Sequence, residues 1–257
     1  MQTEIIFLGT GTSTGIPLIG CPCAVCQSAD PRDQRLRTAI FVKTPSVHLV
    51  IDTGPDFRQQ MLRNNITRLD AILYTHDHQD HIIGLDDVRP FNLWQQKTMP
   101  IYATERVQNS LKRVFSYAFG DNPYPGSPAL TLHTIHAHLP FVVANHLPIT
   151  PIEVIHGNMP ILGFRIGDFT YITDASHIAP TEIDKIRGSQ VVVINALRHD
   201  AHWSHFSLQQ AIDIAQQIGS PQTYFTHASH QIGLYTEVQA NLPKGMFLAY
   251  DGLKVVF

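Results

Sequence analysis

The chain has 257 residues, of which 44% are hydrophobic and 15% charged, enough apolar content for a sizeable buried core. A formal net charge of −3 leaves no overall basic excess to draw it to nucleic acid or to an anionic membrane. No apolar run is long enough to span a bilayer, and Met1-Gln2-Thr3-Glu4 lacks the basic and apolar stretches of a secretory signal, so a cytoplasmic protein with no membrane partner is expected.

Residues 5–8 read as a short buried strand that runs into the turn Gly9-Thr10-Gly11-Thr12-Ser13-Thr14-Gly15. A dinucleotide loop would need a helix after this turn, whereas Pro17 and three cysteines follow. Those cysteines, Cys21, Cys23 and Cys26, form a C-x-C-x2-C run. An odd, tightly clustered set argues for free thiols or a metal site and against a disulfide framework. Residues 32–37 hold three arginines and one acid and read as a solvated mixed-charge loop, with a phosphate contact as the alternative.

Residues 38–43 and 47–51 look like a hairpin across Pro45-Ser46, ending at Asp52-Thr53-Gly54. Pro55 can open a helix toward Asn64, and 71–74 is another apolar strand. A helix is expected from about Thr104 to Phe119, then a Pro/Gly/Tyr loop over 121–128. Phe115, Tyr117, Phe119 and Tyr124 could form a lid or a homodimer contact, and core packing explains the first three equally. Strands follow at 130–135, 149–155, 162–166, 169–173 and 191–195, a helix over 207–218, and strands at 222–226, 246–249 and 253–256. This order puts sheets in the middle and helices outside. Polar residues recur just after apolar strands, which suits a site assembled from strand-end loops.

The 15 histidines are the unusual feature of the composition. The densest run is Thr75-His76-Asp77-His78-Gln79-Asp80-His81, an H-x-H-x-D-H pattern directly after the 71–74 strand. Imidazoles and a carboxylate crowded into one turn suit zinc, or manganese and iron where carboxylates contribute. Ser176-His177 has no supporting context for a nucleophile.

The H-x-H-x-D-H run resembles the signature of the metallo-β-lactamase superfamily. The resemblance extends over nearly the whole chain. Ile51-Asp52-Thr53-Gly54 looks like the Asp-bearing strand end that precedes the signature, His156-Gly157 like an isolated His ligand, Thr173-Asp174 like a bridging carboxylate, and Phe225-Thr226-His227 like the last His ligand. The resemblance implies an α/β fold, a four-layer αββα metallo-β-lactamase sandwich, formed by one hydrolase domain over 1–257. It implies two catalytic divalent metals, Zn or Mn: one held by His76, His78 and His156, the other by Asp80, His81 and His227, with Asp174 bridging. Asp80 counts both as a ligand and as a catalytic carboxylate. A water shared by the two metals would be the nucleophile. Asp52 would orient a ligand by hydrogen bond, unless it is an ordinary turn carboxylate.

Within that superfamily the sequence looks most like the PhnP-type phosphodiesterases, which hydrolyse a phosphoribosyl cyclic phosphate. They carry a cysteine cluster near the N-terminus and take the fourth ligand of a structural zinc from a His just after the last catalytic His. His230, in Thr226-His227-Ala228-Ser229-His230-Gln231, matches that position, so one structural Zn on Cys21, Cys23, Cys26 and His230 is implied. Three reduced cysteines without a metal are the alternative. A His before a helix protonates the leaving group in these enzymes; His205 in Ser204-His205-Phe206-Ser207-Leu208 matches best, and His202 competes.

The implied substrate is a small phosphodiester. A tRNA 3′-processing nuclease of the tRNase Z type is the rival, but no long basic insertion offers an RNA-binding arm, so nucleic acid is not expected as a partner. PqqB-type relatives share the cysteine feature with a degraded metal signature, whereas this one is intact. A metal-binding scaffold or sensor is the non-enzymatic alternative.

Overall fold

The computed structural model describes residues 2–120 and 124–257. Its first half runs β1 (Glu4–Gly9), β2 (Ala39–Lys43), β3 (His48–Ile51), α1 (Phe57–Arg63), β4 (Ala71–Leu73), α2 (Gln79–Ile82), α3 (Arg89–Gln95), β5 (Met99–Ala103), α4 (Glu105–Val114) and β6 (Leu130–Thr134). The second runs β7 (Phe141–Val143), β8 (Leu147–His156), β9 (Met159–Ile166), β10 (Phe169–Tyr171), α5 (Pro180–Ile186), β11 (Val191–Asn195), α6 (Leu208–Ile218), β12 (Gln222–Thr226), α7 (Tyr235–Asn241) and β13 (Met246–Leu248). The last strand, β14 (Lys254–Val256), returns to the first sheet.

The strands form two seven-stranded sheets, ordered β14-β1-β2-β3-β4-β5-β6 and β13-β12-β11-β10-β9-β8-β7. Both mix antiparallel and parallel pairs: β1–β2 and β2–β3 are antiparallel, and β3–β4, β4–β5 and β5–β6 are parallel. Side-chain alternation explains the layers. In β1, Ile5 and Phe7 face the other sheet while Ile6 and Leu8 face helices on the outside. In β11, Val191 and Val193 face inward while Val192 and Ile194 pack under α5 and α6. Phe57 of α1 and Val107 and Leu111 of α4 cover the first sheet, and Ile183, Ala211 and Val238 cover the second. The result is the expected αββα sandwich. Among the described residues no helix is long and apolar enough to cross a membrane.

Several local readings change. Helix α1 begins at Phe57, not Pro55. Helix α4 stops at Val114, and a separate 3₁₀ turn, Ser116–Ala118, follows. Phe115 is buried, but Tyr117 is 42% exposed and donates its hydroxyl to Asp86, so it is no core residue. Of the expected 121–128 loop, 121–123 lie outside the described residues, and 124–128 contain neither helix nor strand. The 32–37 segment is not simply a solvated loop: Arg35 is only 2% exposed and donates to Thr10 Oγ1 at 2.8 Å and to the Ala249 carbonyl. Burying a guanidinium is costly, and the β1 turn and the chain after β13 offset part of that cost with two acceptors for Nη1.

Candidate metal centre and cysteine cluster

The expected ligand residues converge on one end of the sandwich. His76, His78, Asp80 and His81 leave β4 together. His156 ends β8, Asp174 follows β10, and His227 follows β12. Three side chains at this end sit on left-handed backbone outside glycine: Asp52 (φ 67°), Asp174 (φ 58°) and His227 (φ 58°). Each such residue costs of order 1–3 kcal/mol and persists only where its surroundings hold it. Here the strain turns the chain sharply out of a strand and aims the side chain into the cleft.

Hydrogen bonds orient three of the buried imidazoles, His76, His81 and His156. Asp52, fully buried, accepts from the Thr75 backbone N–H at 2.9 Å, from Thr75 Oγ1 at 2.8 Å and from His81 Nδ1 at 2.7 Å. Because the Thr75 hydroxyl spends its one proton on Asp52, His76 Nδ1 must donate to Thr75 Oγ1, at 3.0 Å. His156 Nδ1 donates to the Ser204 carbonyl at 2.8 Å. In the neutral form of all three rings Nε2 is therefore the lone-pair nitrogen. Asp52 is thus an orienting carboxylate, as the resemblance implied, and not an ordinary turn residue.

Close packing holds the run in register. Thr53 N–H donates to the His81 carbonyl at 2.7 Å, and a Cβ at Gly54 would collide with the Asp80 carbonyl. Asp77, between the first two histidines, turns away from the cleft: it accepts from Ser110 Oγ at 2.7 Å and pairs with Arg106 at 3.2 Å, which ties the run to α4. On the opposite side Asn195 clasps Ala175 through both amide atoms, at 2.7 and 2.9 Å, and so fixes the residue after Asp174. Asn195 had no assigned role in the sequence reading; a carboxamide closing an otherwise apolar strand is the signal that marks it.

Three sets of donor atoms lie within 4.8 Å of one another: His76/His78/His156, Asp80/His81/His227 and His76/His81/Asp174. Asp174 Oδ1 lies 3.0 Å from His227 Nε2, and its Oδ2 lies 3.3 Å from His81 Nε2. The Nε2 atoms of His76, His81 and His227 are buried without a hydrogen-bond partner. An unmet buried polar atom costs about 1–3 kcal/mol, and three of them aimed at one carboxylate-lined space fit a bound cation. Burial, reinforced by His81, holds His76 well below the usual imidazole range and so in its neutral, ligating form.

His205 belongs to the same space. Its Nδ1 is buried without a hydrogen bond, 3.7 Å from Asp174 Oδ1, and its ring stacks on His227 with centroids 4.8 Å apart. His156, Asp174 and His205 also satisfy the 4.8 Å donor criterion, so His205 is close enough to be a ligand as well as an acid. Burial and the neighbouring His227 push it down to about 3. His202 sits farther out, its ring 5.1 Å from His205 and its Nδ1 3.2 Å from Ser204 Oγ.

Cys21, Cys23, Cys26 and His230 form a second donor set within 4.8 Å. His230 Nδ1 lies 3.4 Å from Cys21 Sγ and 3.3 Å from Cys23 Sγ. The Cys26 backbone N–H, and after it His230, bring Cys23 down to about 6, while burial pushes Cys26 up to about 11. His230 is three residues past His227. The β1 turn laces this stretch in place: Thr12 N–H donates to the Ala228 carbonyl at 3.0 Å, and Ala228 N–H to the Thr10 carbonyl at 2.9 Å.

Known proteins match this arrangement. The beta-lactamase superfamily domain matches residues 48–228. A protein of Porphyromonas gingivalis named octanoyltransferase is 42% identical over 253 residues, which are 98% of this chain and 51% of that protein; the chain thus spans about half the length of this curated relative. A solved structure described as a new diphosphatase from the PhnP family is 41% identical, with a TM-score of 0.93 over 100% of this chain and 98% of that one. Zinc-bound PqqB from Methylobacterium extorquens, at 20% identity and TM-score 0.79 over 98% and 99% of the two chains, shares the fold. The chain belongs to the beta-lactamase superfamily and, within it, to the PhnP family.

Proposed function

We propose that the protein is a metal-dependent phosphodiesterase acting on small or cyclic phosphodiesters. The observation that carries this reading is a pair of donor sets meeting at Asp174, with the unbonded imidazole of His205 beside them. His76, His78 and His156 would hold one divalent ion and Asp80, His81 and His227 the other, with Asp174 beside both donor sets. Zinc and manganese suit imidazole and carboxylate donors. Cys21, Cys23, Cys26 and His230 supply the four soft donors of a tetrahedral structural zinc. What two divalent ions supply when bound is an acidified water and a counter-charge for the phosphoryl oxygens.

The chain's own residues do the rest. Asp52, Thr75 and the Ser204 carbonyl keep three Nε2 lone pairs aimed inward. His205 protonates the departing oxygen. Burial and His227 hold it in the neutral form near pH 7, and a phosphodiester anion seated beside it raises its affinity for the proton it must deliver. His202 has no comparable approach to Asp174.

The diphosphatase named among the relatives supports phosphoryl chemistry, and extends the candidate linkages to a diphosphate. The longer relative's name brings a second reading, in which an acyl thioester is the substrate. A panel of cyclic phosphodiesters, linear diesters, dinucleotide diphosphates, short RNA and octanoyl thioester, run with defined metals, tests both. Preferential turnover of small phosphodiesters is expected; preference for the thioester, or no turnover of any phosphate ester, overturns the proposal.

A further inference from the structure

The chain has two tryptophans, and both are exposed. Trp94, on α3, lies beside exposed Leu93 on an outer helix. Trp203 differs in where it stands and in how it is held. It lies between His202 and His205 and is 75% exposed. Its six-membered ring covers Gly157, the residue after His156, so closely that a Cβ there would run into it. Gly157 has φ +64°, a second reason for glycine at this point.

The loop beneath the indole is tethered. The Ser204 carbonyl takes the His156 Nδ1 proton, Leu197 N–H donates to the Phe206 carbonyl at 3.0 Å, and Phe206 N–H to the Ala175 carbonyl at 2.7 Å. The six-membered ring rests against the Gly157 backbone, and most of the side chain is in solvent. From it a series of rings leads inward: Trp203 to His202 at 6.4 Å, His202 to His205 at 5.1 Å, and His205 to His156 at 4.7 Å between centroids. A flat aromatic surface at the rim, one ring removed from the group proposed to protonate the departing oxygen, is what a planar heterocycle on the substrate would stack upon.

We infer that Trp203 is a specificity residue, the platform on which the base of a nucleotide substrate stacks, so that the diester taken by this site carries a nucleoside. This rests on the phosphodiesterase reading and deepens it.

The test pairs two substrates that differ only in the base: adenosine 2′,3′-cyclic phosphate and ribose 2,3-cyclic phosphate. The ratio of their kcat/KM values, base-bearing over base-free, is expected to fall about tenfold or more in Trp203→Ala. Trp203→Phe should restore most of it, and Trp94→Phe should leave the ratio as in the parent protein. A ratio that does not change in Trp203→Ala overturns the inference. So does an equal loss on both substrates, which would mean that the indole shapes the loop or covers the sugar. A binding measurement keeps this separate from the proposed reaction. In metal-loaded Trp94→Phe protein only Trp203 emits, and AMP should quench that emission saturably while ribose 5-phosphate should not. If neither cyclic phosphate is hydrolysed, the phosphodiesterase reading fails and the AMP titration still decides the platform; no saturable quenching overturns it.

Discussion

The two halves of the sandwich build their shares of the cleft differently. The first half delivers His76, His78, Asp80 and His81 from a single excursion between β4 and the end of α2. Their spacing is set by local chain geometry and by the clasp of Asp52, Thr53 and Gly54. The second half delivers His156, Asp174, His205 and His227 one at a time, His156 from the end of β8 and the others from three different loops. Only the register of β8, β10, β11 and β12 brings them together. A local error in the first half disturbs neighbours in sequence; one in the second removes a single group and leaves the others where they were.

This contrast can be broken at its strongest point first. Among the described residues Asp174 is the one carboxylate within reach of both donor sets, so Asp174→Ala should reduce turnover of every phosphodiester to background and prevent paired metal loading. Elemental analysis of the parent should give about three metals per chain against fewer in the variant. A parent stoichiometry near one, with no gain on reconstitution, would refute the two-metal arrangement.

His205 tests whether a group from the second half can be lost alone. His205→Ala should keep both metals and lose about 10²–10⁴-fold in kcat on diesters with poor leaving groups. The loss should shrink on bis-p-nitrophenyl phosphate, whose phenolate departs without a proton. Equal losses on both, or a drop in metal content, would make His205 a binding residue or a ligand. If His202→Ala shows the leaving-group dependence instead, the acid is His202.

Asp52 probes the first half. Asp52→Asn retains the shape but weakens the hold on His81 and Thr75, and metal affinity should fall about 10–100-fold, read by competition with a chelator. Unchanged affinity would mean that backbone geometry alone positions His81. The smallest effect on chemistry is expected at the cysteines. Cys23→Ser should lower zinc content and melting temperature, because a structural zinc contributes its binding free energy to folding, while the protein that stays folded keeps its leaving-group profile. Full zinc content with an unchanged melting temperature would show that the cluster is no metal site.

The same contrast governs what the sequence made legible. H-x-H-x-D-H is visible because its members are neighbours. His156, Asp174 and His227 are weak marks separately and gain meaning only from their order, which the family resemblance supplied. The strand sequence and the outer helices α4 and α6 follow from apolar periodicity, and the helix predicted over 207–218 is capped by the Ser207/Gln210 capping box. Strands β5 and β7, and helices α2, α3, α5 and α7, were not anticipated. Each has seven residues or fewer, too short for periodicity to declare, and its conformation is settled by what it packs against. Arg35 was misread for a related reason. Charge in a short polar run suggests solvent, and only the tertiary fold brings Thr10 and the Ala249 carbonyl to meet it.

The left-handed backbone at Asp52, Asp174 and His227 has an evolutionary consequence. Glycine adopts this conformation without penalty. At Asp52 and Asp174 it would strand the Thr75, His81 and Thr173 donors that those carboxylates satisfy, whereas at His227 it would remove a buried imidazole whose nitrogens have no hydrogen-bond partner. Fold stability and chemistry therefore pull in opposite directions at His227. A library selected for melting temperature alone, in metal-free buffer, should accumulate glycine there and lose activity. The same library selected for turnover should hold the histidine against the gradient and find its stabilising substitutions elsewhere.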